Sequence, residues 1–132
     1  MINNFDQTQI ETAVAELIRN LGVSKNVFNN RPRSAEKDLK DFVVCRVVGN
    51  IRDYGAFGMC RVSVQLYAQD VANMKNGQKL SVMQGKIKGG ITNQIGDMLL
   101  DFKGVEPVGD TPDGNGYHVR ILQLKQVIIK IV

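Results

Sequence analysis

The sequence predicts an α+β fold: a mostly antiparallel sheet with a long hairpin and two helices packed on one face. Three observations carry this expectation. Apolar residues recur at helical spacing near the start of the chain, two β-branched runs flank a glycine-bearing stretch, and segments of both periods follow one another with no internal repeat. The 132 residues suit one domain, expected to span 1–132. A hydrophobic share of 43% and a charged share of 23% are ordinary for a globular chain. No run approaches the roughly 18 apolar residues of a membrane span, and the first residues lack the pattern of a secretory signal.

The first helix rests on Ile10, Ala13, Val14, Leu17, Ile18 and Leu21, a one-sided stripe. Thr8 and Glu11 have capping-box spacing, and Gly22 fits the left-handed position past the helix end. Residues 23–41 read as a polar connection around Asn29, Asn30, Arg31, Pro32 and Arg33, anchored by Val27 and Phe28. Phe42 to Val48 is β-branched and almost continuously apolar, as in a strand covered on both faces. Gly49, Asn50, Asp53, Gly55 and Gly58 form a turn cluster, which places an extended hairpin tip near residues 50–57. In the returning strand Cys60, Val62, Val64, Leu66 and Ala68 share the core parity. Ile10, Val14, Leu17 and Ile18 are expected to pack on Val62, Val64 and Leu66.

Asp70 can cap a second helix through Val71, Met74, Leu80, Met83, Ile87 and Ile91. Gly77 and Gly85 weaken it by about 1 kcal/mol each, and Asn76-Gly77 can break it. Asp97 to Lys103 reads as a short strand, and the glycines and prolines of 104–116 as a loop or hairpin connection. Tyr117 to Val132 is the last strand region. Its apolar parity changes twice, which a bulge near 122–126 explains.

Chemistry-bearing residues are sparse. His118, the single histidine, reads as a surface or sheet-edge residue, and Cys45 and Cys60 as small core thiols suited to a reducing cytosol. The expectation is no catalytic residue, no cofactor and no metal. The glycine-rich pieces at 55–58 and 85–90 lack phosphate-loop spacing. Net charge is +4, and the basic stretch of Lys25, Arg31, Arg33, Lys37 and Lys40 is diluted by Glu36, Asp38 and Asp41. With aromatics at 6%, no stacking motif accompanies it, so no specific nucleic acid and no membrane is expected as partner. What remains is surface. Ile51, Tyr54, Ala56 and Phe57 place apolar groups at the tip, and 127–132 is apolar on both parities. That run is either covered by a neighbouring subunit or central within its own sheet.

The layout resembles the tail-terminator, or tail-completion, proteins of long-tailed bacteriophages and prophages. The elements that carry the resemblance are the amphipathic helix 10–21, the Val27-Phe28…Arg31-Pro32 approach, the strand 42–48, and the hairpin returning through Val64-Gln65-Leu66-Tyr67-Ala68. Asp70 and an Asp113-x-x-Gly116-Tyr117 turn feeding a long last strand complete it. The resemblance implies a non-enzymatic subunit that forms a ring, usually hexameric, with copies of itself. The ring ends tail-tube growth and joins the tail-tube protein to a head-completion protein. It also implies assembly in the bacterial cytoplasm and residence in the virion tail. Candidate contact residues by position are Arg31, Arg33, Arg52, Asp53, Tyr54, Phe57, Ile128 and Ile131, with Arg31 and Arg33 facing Asp110 and Asp113 of a neighbour. The competing reading is a small basic α+β nucleic-acid-binding module.

Overall fold

The computed structural model describes residues 5–29, 39–87, 91–95 and 98–131. Helix α1 (Gln7–Asn20) forms over the apolar stripe, with Ile10, Val14, Leu17 and Ile18 fully buried. Its N-cap is Asp6, whose Oδ1 accepts the Gln9 N–H at 3.0 Å, rather than the Thr8–Glu11 pair. Glu11 is thereby free to turn inward, where its Oε2 accepts the Val47 N–H at 2.8 Å. Gly22 follows the C-cap with φ of 75°, the left-handed geometry that ends helices.

Strands β1 (Val27–Asn29), β2 (Asp41–Asp53), β3 (Gly58–Gln69), β4 (Ile91–Ile95), β5 (Met98–Pro112) and β6 (Tyr117–Ile131) form one sheet in the order β1-β2-β3-β6-β5-β4. This corrects the expected fold class. The chain is mostly sheet, and the sheet is mixed and curled into a half-barrel, not a mostly antiparallel sheet built on one long hairpin. β1 runs parallel to β2, with Val27 opposite Val43. The curl has local causes. Register shifts fall between Val48 and Arg52, between Cys60 and Val62, and between Pro107 and Gly109. Each bulge adds right-handed twist, and strands this long must coil as twist accumulates. α1 lies against β1 and β2 and also against β4, at the opposite end of the strand order, so it fills the concave side.

β2 and β3 run to Asp53 and from Gly58, so the glycines read as a tip include a bulge inside a strand. β5 continues through the stretch read as a loop after Lys103. The second helix is only α2 (Gly77–Gly85), capped by Asn76 Oδ1 rather than Asp70. Ahead of it, Ala72 and Asn73 turn the chain with positive φ under a Val71–Met74 bridge. Ile91 belongs to strand β4, not to the helix.

The concave core joins the α1 stripe, Leu80 and Met83 of α2, Val62, Val64 and Leu66 of β3, and Leu100, Phe102, Leu122, Leu124 and Ile129. On the convex side Phe42 stacks on Tyr67 at 4.3 Å and meets Tyr117 edge-on at 5.4 Å. The Tyr117 hydroxyl donates to the Leu39 carbonyl at 2.5 Å. Among the described residues no helix is long and apolar enough to cross a membrane.

Candidate assembly surface

The β2–β3 turn is tight. The Tyr54 N–H donates to the Phe57 carbonyl at 2.9 Å, and Asp53 Oδ1 accepts the Gly55 N–H at 2.8 Å. Gly55 has φ of 84°, a conformation that costs glycine no Cβ clash. The Tyr54 and Phe57 rings stack at 5.0 Å, and Tyr54 remains 51% exposed. Below them Phe57, Leu99, Asp101, Ile128 and Lys130 line a cavity of about 220 Å³. Three of the sequence-proposed residues, Tyr54, Phe57 and Ile128, are thus gathered at one end of the sheet. Arg52 stands in a neighbouring cavity of about 420 Å³, with Arg61, Lys125, Val48 and Met59. Arg31 and Arg33 lie outside the described residues, as does the side chain of Ile131.

The opposite end of the sheet is a polar clasp. Arg120 of β6 grips Asp110 of β5 with two bonds, Nε to Oδ1 at 2.7 Å and Nη2 to Oδ2 at 2.9 Å. Its Nη1 donates to Ser81 Oγ at 3.0 Å and Gln84 Oε1 at 3.2 Å, which ties α2 to the sheet. Lys75 Nζ adds a third contact to Asp110 at 3.0 Å. Asp113 Oδ1 accepts the Asn115 and Tyr117 N–H groups and closes the β5–β6 turn. Both carboxylates assigned to a neighbour's arginines are therefore engaged within the subunit. His118 is not at a sheet edge. It sits on β6 between β3 and β5, with Nδ1 2.7 Å from Asp70 Oδ1.

The Arg120 hydrogen bonds, helped by Lys75, hold the Asp110 carboxyl down at about 2. A carboxyl below its unfolded value stabilises the fold at higher pH, and that stability is lost as protons bind. The clasp contribution is thus complete above the ordinary aspartate range and falls away as pH drops from about 4 towards 2. In acid-unfolding curves Asp110→Asn is expected to lower stability at neutral pH and to flatten the curve in that window. An unchanged acid limb would mean that the clasp carries no stability.

Burial raises both thiols, Cys45 and Cys60, to about 12, so they are inert core groups. Among the described residues no three His, Cys, Asp or Glu side chains could together hold a metal. No family model matches the chain, and no curated protein matches it significantly. Sequence reading missed Leu99, Arg61 and Lys125. Leu99 and Ile128 have outward parity within apolar runs, which was a usable signal. Arg61 and Lys125 meet only through the β3–β6 register, which no local pattern encodes.

Proposed function

We propose that this chain is a structural subunit of a long-tailed phage or prophage that assembles as a ring on the tail tube, ends tube growth and joins tail to head. It performs this role by surface contacts alone. The layout resemblance supports the reading, and one structural observation carries it. Phe57, Leu99 and Ile128, with Tyr54 stacked on Phe57, form an apolar patch bordered by Asp101 and Lys130 around an open cavity at the hairpin end, while both helices pack into the concave core. A patch of this kind invites a partner surface. In a ring each subunit offers one surface to a different surface of the next. Exposed ion pairs contribute about 0–1 kcal/mol each, so apolar burial dominates such a contact.

Fully burying an isoleucine stabilises a contact by about 1.5–3 kcal/mol. Ile128 is already half-buried within the subunit, so about half of that remains to be gained, and Ile128→Asp is expected to weaken assembly by about 3- to 13-fold, with circular dichroism checking the fold of the variant. Light scattering over a range of protein concentrations, with co-sedimentation on isolated tail tubes, reads both steps. A wild-type protein that stays monomeric and also ignores tail tubes would sink the ring reading. A monomer that binds tubes places ring closure on the tube end.

A further inference from the structure

We propose that the cavity at the β2 bulge is a phosphate-binding groove that holds a nucleic-acid backbone without reading its sequence. The site is independent of the ring reading. Three cations from three adjacent strands converge there: Arg52 on β2, Arg61 on β3 and Lys125 on β6. The convergence is a product of irregular backbone. β2 shifts register between Val48 and Arg52, with Gly49 at φ of 74°. Next to it, β3 and β6 shift between Cys60 and Val62, where Val62 pairs with Leu124 and Cys60 with Val127. The two irregularities lie side by side, and the cavity of about 420 Å³ opens over them.

The charges in this groove are unbalanced. Neither Arg52 nor Arg61 has a hydrogen-bond or ion-pair partner among the described residues. Lys125 has one, Glu106, across the β5–β6 pair. Arg46 stands exposed two residues before Val48, and Val48 is the register partner of Arg61. Arg120, by contrast, is neutralised by its two bonds to Asp110. Two unpaired guanidiniums in one concavity repel each other, and a bound anion relieves that repulsion. Guanidinium forks match phosphate oxygens with two parallel bonds. Adjacent strands lie about 4.8 Å apart, so a line of cations across three strands serves successive phosphates of one polyanion. Among the described residues no aromatic ring lines the groove, so these offer nothing on which bases stack. That combination favours backbone contact, which positions a strand and carries no sequence information.

The test is fluorescence anisotropy of the full-length protein with a labelled single-stranded DNA and its duplex, titrated at several salt concentrations. Three phosphate contacts predict a slope of log K against log salt of about −2 for the single strand and about −3 for the duplex. Affinity then falls roughly 20- to 40-fold between about 50 and 200 mM salt. Arg52→Gln with Arg61→Gln should leave only about a threefold fall and weaken binding at low salt. Glu106→Gln, which releases Lys125, should tighten it. Circular dichroism melts check that these exposed substitutions leave the fold intact. Absence of binding at low salt, or a salt slope untouched by the double variant, overturns the proposal. Binding that inorganic phosphate displaces at equal concentration, or that polyglutamate matches in affinity, also overturns it. The first outcome would make the groove a free-oxyanion site, and the second a dock for an acidic protein segment.

Discussion

Leu17→Ala lowers the unfolding free energy by about 2–5 kcal/mol. The side chain is 1% exposed and sits at the middle of the α1 stripe inside the concave core. Its loss has two parts, the transfer energy of the removed carbons and the void they leave. The second part should be large here. α1 reaches β1 and β2 on one side and β4 on the other, so it spans the opening of the half-barrel. A helix held at both ends of a curled sheet cannot slide in to refill a hole without losing one of its supports. Arg19 reinforces this, because its Nη2 donates to the Val27 carbonyl of β1 at 2.9 Å. Leu17→Met keeps the volume and should cost less than about 1.5 kcal/mol. Urea unfolding of both variants checks the contrast. Equal, small losses would show that α1 relaxes freely and that the half-barrel closes without it.

The helix that fills the barrel was legible because its signal is local. Six apolar residues at helical spacing bury one face whatever the sheet does. The first residues of each long strand were legible for the same reason, as with the alternation of Cys60, Val62, Val64 and Leu66. What the sequence hid was how those strands continue. Gly49 and Gly58 look like turn residues, yet Gly49 sits in a bulge beyond which the ladder resumes at Arg52, and Gly58 is already the first residue of strand β3, paired with Asp53. Gly104 and Pro107 look like loop residues, yet β5 keeps pairing with β6 through them. A pairing partner already in place holds a strand together across residues that would break it in isolation. β1 and β4 have only three and five residues and depend on neighbours far along the chain. The parallel β1–β2 pair, which makes the sheet mixed, therefore left no periodic trace. The candidate surfaces divide in the same way. Phe57 and Tyr54 were visible as apolar residues at a turn. The cationic groove was not, because it exists only where two register shifts coincide.

Phe5 and Gly58 should prove strongly coupled. Phe5 precedes α1 and is 5% exposed, and its ring lies over Gly58 at the start of β3. A Cβ on Gly58 would stand 2.8, 2.9 and 3.0 Å from three Phe5 ring atoms. Gly58 does not have the positive φ of Gly49 or Gly55, so glycine is required there by space rather than by backbone conformation. Gly58→Ala must displace the ring, an overpacking cost of about 1–3 kcal/mol. Phe5→Ala empties the site and costs about 3–5 kcal/mol. In the double variant the new methyl occupies part of the space that the ring has left. Its total loss should fall short of the sum by about 0.5–3 kcal/mol, the range for residues in contact. Denaturant melts of the four proteins measure that coupling directly. The pair also bears on assembly, because Gly58 follows Phe57, which lines the apolar cavity with Ile128. A displaced Phe5 ring pushes on the root of the hairpin that carries the patch. Gly58→Ala should therefore reduce assembly more than a core substitution of equal thermodynamic cost placed far from the tip, such as Val27→Ala. Additive melts would break the predicted contact between Phe5 and the strand, and equal assembly in the two variants would separate the tip from its anchor.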